Sequence, residues 1–256
     1  MPMTPDLQTA TVELQSGSET ILAYLARPAV DEPRPVVVVL QEVFGVNAHI
    51  REVSDRIAQA GYWAIAPHIY HRQVQNFEVG YTENDLALGR QYKQGTTATE
   101  LLCDIQGAIA YARHCGASAQ PAGCIGFCFG GHVAYLAATL PDIQATASFY
   151  GAGIVTTTPG GGEPTITQTP HIHGTLYGFF GTADPLIPLS DVNAIETALT
   201  QHHISHQIFR YEGATHGFFC DRRNSYDANA ADHAWHQVIQ LFATHLPVSP
   251  LPKADL

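Results

Sequence analysis

The sequence predicts an α/β fold, a mostly parallel central sheet with helices on both faces. Three observations carry this. Val36-Val37-Val38-Val39-Leu40 is an unbroken aliphatic run, as expected of a strand buried on both sides. Short apolar runs alternate with amphipathic stretches at helical spacing along most of the chain. The segment Ala122-Gly123-Cys124-Ile125-Gly126-Phe127-Cys128-Phe129-Gly130-Gly131-His132 then passes from an apolar run, through a glycine-flanked turn, into Val133-Ala134-Tyr135-Leu136-Ala137-Ala138. That order is strand, sharp turn, helix. Side chains at Gly126 and Gly130 would collide as the backbone folds back on itself. The turn therefore holds Cys128 in a strained conformation and pushes it above the sheet.

The elements follow in order. Alternating runs at 11–15 and 21–26, split by Ser16-Gly17-Ser18, predict a β-hairpin. Residues 28–35 form a polar loop before the Val36–Leu40 strand. Asn47 caps a helix over 48–60, with Ile50, Val53, Ile57 and Ala58 at helical spacing and Gly61 as its stop. Tyr62 to Ala66 is a strand halted by Pro67, and 68–96 reads as a loop with a short helix. Thr99 to Cys115 is a long helix presenting Leu102, Ile105, Ile109 and Ala112, stopped by Gly116. After the turn at Cys128 and its helix, broken at Pro141, come a strand at 145–150 and a long Thr/Pro/Gly loop at 153–173. Such loops are usually functional or mobile. A strand at 176–180, a helix at 190–201, a strand at 206–211 and a helix at 227–245, with Trp235, Ile239 and Phe242 inward, complete the pattern. No repeat or linker divides the chain, so one domain over 1–256 is expected.

Composition narrows the function. Hydrophobic residues make up 45% and charged residues 14%, which suits a large buried core. The 12 basic and 23 acidic residues give a net charge of −11, with no Lys/Arg block, so nucleic acid and anionic membranes are unlikely partners on chemical grounds. The first residues carry no secretory signal pattern, and Val36–Leu40 is too short to span a bilayer. Five cysteines without framework spacing argue for reduced thiols in a cytoplasmic protein. His171-x-His173 and His202-His203-x-x-His206 have candidate metal spacing, but no Cys, Asp or Glu set converges on them, so no metal is expected. Nothing in the sequence bears on oligomeric state.

Cys128, Asp184 and His216 each follow an expected strand, and the strand C-termini of a parallel sheet form one ligand-binding rim. Nucleophile, acid, histidine is the chain order of the α/β-hydrolase fold. A thiol needs only partial activation to attack a carbonyl. Asp184 would accept the Nδ1 proton of His216 and fix its tautomer.

The chain resembles the dienelactone hydrolase (carboxymethylenebutenolidase) family. The matching stretches are Gln41-Glu42-Val43-Phe44-Gly45-Val46, Gly126 to Gly131, Gly181-Thr182-Ala183-Asp184 and Ala214-Thr215-His216-Gly217-Phe218. The likeness covers about residues 10–246. It implies an α/β-hydrolase fold and cofactor-free hydrolysis of a lactone or small ester through an acyl–cysteine intermediate. It also implies that Glu42 keeps Cys128 protonated at rest and becomes its base when substrate arrives. The backbone N–H groups of Phe129 and Val43 would form the oxyanion hole. Dienelactones carry a carboxylate, so a cationic clamp is expected. Family members place an arginine shortly after the catalytic histidine. Here Cys220 holds that position, and Arg222 and Arg223 follow. Arg90 is a further candidate, and Tyr70, Tyr150 and Phe44 are candidate pocket linings.

Three alternatives stand beside this reading. One is a broad carboxylesterase or thioesterase on the same triad. Another is a non-catalytic binding protein of the same fold, which the retention of Cys128, Asp184, His216 and Glu42 opposes. The last is a redox-sensing thiol, opposed by Glu42, whose charge disfavours the thiolate that such chemistry needs.

Overall fold

A computed structural model describes residues 6–249. The N-terminal residues 1–5, where no signal pattern is read, and residues 250–256 lie outside the described part. The order is β1 (Leu7–Ser16), β2 (Glu19–Pro28), β3 (Val36–Leu40), α1 (Ala48–Gln59), β4 (Trp63–Pro67), α2 (Glu83–Gln94), α3 (Ala98–His114), β5 (Ala122–Phe127), α4 (Phe129–Ala137), β6 (Ile143–Phe149), a 3-10 helix (Thr165–His171), β7 (Thr175–Gly181), α5 (Leu189–Gln201), β8 (His206–Tyr211) and α6 (Ala228–His245). The eight strands form one sheet, ordered β1-β2-β4-β3-β5-β6-β7-β8. Only the pairings of β2 with β1 and with β4 are antiparallel. The fold is the expected α/β-hydrolase one.

The apolar pattern explains the layering. In β3, Val37 and Val39 pack in the cluster holding Ile50, Val53 and Ile57 of α1 and Val238 and Phe242 of α6. Val36, Val38 and Leu40 pack instead with Leu101, Ile105 and Ile109 of α3 and Val133 and Ala137 of α4. Each buried Val, Leu, Ile or Phe among them contributes about 1.5–3 kcal/mol by leaving water. β3 connects through α1 to β4 on one side, whereas β5 connects through α4 to β6 on the other. The sheet therefore has its topological switch between β3 and β5, where a crevice opens at the strand C-termini. Leu40 pairs with Gly126, so the segments after β3 and β5 emerge side by side.

Several expectations need correction. The hairpin strands are longer than the alternating runs because both continue in register from Leu7↔Pro28 to Ser16↔Glu19. Within 68–96 lies a full helix, α2, opened by a capping box in which Thr82 and Asp85 bond reciprocally. On α3 the inward residue is Leu101 rather than Leu102, and Asp104 is also fully buried. Apolar periodicity cannot see Asp104, which is held by Arg72 at 3.0 Å from each carboxylate oxygen. On α6 the buried stripe is Ala234, Val238, Leu241 and Phe242, while Trp235 and Ile239 are half-buried. Trp235 instead carries the Arg56 guanidinium, 3.9 Å from its ring centroid.

The 153–173 segment is docked rather than free. His132 of α4 meets Ala152 O through Nδ1 at 3.1 Å and Thr165 Oγ1 through Nε2 at 2.7 Å. The carbonyl can only accept, so Nδ1 carries the proton and Nε2 accepts from Thr165. Tyr135 Oη bonds Thr169 Oγ1 at 2.5 Å. Burial, then the Lys93 charge, pushes the His132 imidazole down to about 4 from its ordinary 6.5. The folded chain thus keeps His132 neutral while the unfolded chain protonates it, so stability falls as pH drops from 6.5 towards 4. His132→Gln is expected to remove roughly 2–3 kcal/mol of the stability lost between pH 7 and 4.5. Urea unfolding at the two pH values measures this, and hydrogen exchange over 153–171 should rise in the variant.

Candidate active site

The turn after β5 has the strain its sequence implies: Cys128 sits at φ 55, ψ −114. A Cβ on Gly126 would lie 2.0 Å from Gly130 O, and one on Gly130 would lie 2.3 Å from Leu40 O. Only glycine lets α4 begin directly at Phe129 and dock this closely on β3 and β5. The non-glycine positive φ costs of order 1–3 kcal/mol. It is held by Cys128 N–H donating to Phe149 O at 3.0 Å and His132 N–H donating to Cys128 O at 3.1 Å.

Asp184 follows β7 and His216 follows β8, and these strands pair in parallel up to Gly181↔Tyr211. Ala183 N–H donates to Ala214 O at 3.1 Å, bracing one loop on the other. Asp184 Oδ2 lies 2.8 Å from His216 Nδ1, and Oδ1 accepts Leu186 N–H at 2.8 Å. Both residues are buried. His216 Nε2 is buried without a hydrogen-bond partner. Burial lowers the His216 imidazole, but the Cys128 sulfur and then the Asp184 carboxylate outweigh it, and the net shift is upward, to about 10. The Tyr150 ring supports the imidazole edge-on, 5.1 Å between centroids.

Glu42 follows β3 and is fully buried. Its Oε1 accepts from Arg223 at 3.0 Å, and Oε2 has no partner. The Arg223 guanidinium also lies 5.7 Å from the ring centroids of both Phe44 and Tyr81. Removing one member of a buried pair leaves the other charge stranded.

A cavity of about 680 Å³ opens at this rim, and Cys128, His216, Val43, Phe129, Arg90 and Arg223 all line it. Among the described residues, the N–H groups of Val43 and Phe129 are not committed to a protein acceptor. Phe44 lines the cavity, as do Ala152, Gly153, Thr156 and Thr157 at the start of the long loop. Arg222 is not brought to this site: it pairs with Glu52 at the surface. Tyr70 is also displaced from the expected lining, buried behind Phe129 with ring centroids 6.2 Å apart. Sequence reasoning missed Lys93, which lines the cavity one helical turn beyond Arg90. Gly89 allows both to approach, since a Cβ there would lie 2.2 Å from Val43 O. The histidines at 171, 173, 202, 203 and 206 join no cluster of three metal donors among the described residues, whereas His49, Cys220 and Asp221 do.

The model of the dienelactone hydrolase family matches residues 21–246. A Synechocystis sp. protein named as a candidate carboxymethylenebutenolidase is 51% identical over 245 residues, covering 95% of this chain and 100% of that protein. A Bradyrhizobium sp. protein named as a candidate 2-oxo-3-(5-oxofuran-2-ylidene)propanoate lactonase is 28% identical, covering 92% and 94%. The crystal structure of a candidate dienelactone hydrolase from Klebsiella pneumoniae superposes with a TM-score of 0.84 at 29% identity, covering 93% and 99%.

Arg223→Leu is expected to lower stability by up to about 3–5 kcal/mol by stranding Glu42. Adding Glu42→Gln should restore at least half of that loss, as chemical denaturation of the two single variants and the double variant will measure.

Proposed function

Since this chain belongs to the dienelactone hydrolase family and is a hydrolase of ester or lactone bonds, we propose that it opens a lactone or small ester through an acyl–Cys128 intermediate, with a preference for substrates bearing a carboxylate. The observation that carries this is a cysteine in a strained turn, sharing one cavity with a histidine whose other nitrogen is held 2.8 Å from a buried aspartate.

Substrate enters with its carboxylate among Arg90, Lys93 and Arg223. That anion competes with Glu42 for Arg223, and Glu42, freed of its cation, takes the thiol proton. The sulfur attacks the ester carbonyl, forming the C–S bond as the carbonyl electrons move onto oxygen. The Val43 and Phe129 N–H groups receive that oxyanion. Collapse breaks the ring C–O bond and leaves a thioester, with the leaving oxygen stabilised as an enolate. His216 gives its proton to the leaving enolate and, now neutral and still oriented by Asp184, takes one from water; the hydroxide adds to the thioester carbonyl, the C–S bond breaks, and Glu42 returns its proton to the departing sulfur. Leu186, Phe44 and Val43 supply the apolar wall.

Cys128→Ala should lower kcat by at least ~10³-fold, the usual scale for loss of a nucleophile. Mass spectrometry of the wild-type protein quenched during turnover should show an acyl adduct on Cys128. Full turnover by the alanine variant would end the scheme.

A carboxylate-bearing enol-lactone should exceed its neutral counterpart in kcat/KM by roughly 10–100-fold, the value of a charge-assisted hydrogen bond. Arg90→Ala and Lys93→Ala should raise KM for the anionic substrate and leave that for the neutral one unchanged. Equal rates on both substrates would favour the broad carboxylesterase reading.

A further inference from the structure

Outside the cavity, His49 is out of keeping with its surroundings. It lies in the first turn of α1, is only 4% exposed, and makes no hydrogen bond among the described residues. Its ring is fixed edge-on against Phe127 and Phe219, with centroids 5.6 and 6.1 Å away. Leaving a buried imidazole nitrogen unpaired costs folding free energy. Native structures rarely carry such a group without a use for it.

The use is suggested by what lies beside it. One ring nitrogen of His49, the sulfur of Cys220 and a carboxylate oxygen of Asp221 all lie within 4.8 Å of one another. Cys220 is fully buried and Asp221 is exposed. A cavity of about 150 Å³, lined by His49, Glu52, Arg56, Asp221, Tyr226 and Asp232 among others, opens onto His49 and Asp221 from outside, with Cys220 behind them. This cavity is separate from the one holding Cys128.

We propose that His49, Cys220 and Asp221 form a binding site for a thiophilic divalent cation of the Zn²⁺ type. One imidazole, one thiolate and one carboxylate make a borderline-soft donor set, which selects such ions over Mg²⁺ or Ca²⁺. Metal–ligand bonds of about 2.0–2.3 Å put tetrahedral donor atoms roughly 3.3–3.7 Å apart. The exposed Asp221 side chain can swing inward to reach that spacing, and a water completes the fourth position, since Glu52 is held by Arg222. Binding forms metal–nitrogen, metal–sulfur and metal–oxygen bonds, breaks the Cys220 S–H bond, and sends its proton to solvent. No oxidation occurs. Tyr81 Oη, which now accepts from the Cys220 thiol at 3.2 Å, can then turn its own proton towards the thiolate. The bound ion also pins the turn in which Arg223 N–H donates to Cys220 O at 3.1 Å.

The test uses the Cys128→Ala protein, which lacks the other thiol–imidazole pair, stripped of metal and titrated with Zn²⁺ against a chromophoric chelator. One equivalent should bind at micromolar affinity or better. Co²⁺ in its place should give a thiolate-to-metal charge-transfer band, and hydrogen exchange over 218–226 should slow. Adding Cys220→Ser should abolish that band. Asp221→Asn, at the surface and harmless to the core, and His49→Gln should each weaken binding on the order of 10–100-fold. No stoichiometric uptake, or uptake and a charge-transfer band that survive both Cys220→Ser and Asp221→Asn, would overturn the site. If His49→Gln fails to fold, the Asp221→Asn result decides.

Discussion

The close crossing of backbones at the end of β5 is the constraint on which the rest of the molecule depends. Two strand ends and the first turn of α4 meet where ordinary side chains would overlap carbonyl oxygens by more than an ångström. The crossing drives Cys128 to positive φ and lifts its sulfur out of the sheet. It also fixes where the sulfur emerges, beside the segment leaving β3, at the one place where the strand connections diverge. Val43 and Phe129, from these two segments, thereby come to flank the same opening. Relieving the strain would require separating α4 from the sheet, and the aliphatic packing of both layers opposes that.

Three fully buried carboxylates show how the fold divides stability from readiness. Asp104 is satisfied at both oxygens by Arg72 and reinforced by Ser16, and it clamps the end of the hairpin to α3. Asp184 is likewise satisfied, one oxygen by a backbone N–H and the other by His216. Glu42 differs, having a partner on one oxygen only. Several other partnerless buried atoms gather nearby, including His216 Nε2 and Tyr150 Oη. Polar atoms left short of hydrogen bonds cost folding free energy. That the unpaired atoms at the rim sit on Glu42 and His216, the two residues able to exchange a proton with Cys128, while Asp104 elsewhere is fully paired, marks the rim as built for something other than stability.

The arm from α2 adds a different kind of contribution. Its only buried residue is Gly89, so the helix rests on Val43 by backbone approach and leaves its charged side chains to the cavity. The loop starting at Ala152 forms part of the opposite wall and is tied down by His132 and Tyr135. The opening is thus bounded by two connections, of which the loop is pinned to the core by Ile154 and Ile172 and α2 rests on it through Leu86 and Tyr92. Each is anchored at a few points, an arrangement that lets specificity vary without disturbing the sheet.

The layered fold, the strand order of the three principal polar residues and the strained turn were legible in the sequence, because each rests on local rules. Aliphatic runs read as buried strands, and glycines at fixed spacing read as a crossing. The Thr82–Asp85 capping box was equally local, and it was the overlooked sign of α2. What the sequence left open depends on distance through space. Arg222 and Arg223 are neighbours in a turn, and only the turn's path sends one to Glu52 and the other to Glu42. Tyr70 and Phe44 are both aromatic, yet the placement of Phe129 puts one behind the wall and the other on it. His49 meets Cys220 and Asp221 from the far end of the chain. A periodic pattern reports which side of an element is apolar. It carries no record of which remote element supplies a charge or a donor to that side, because that pairing is decided only when the whole sheet closes.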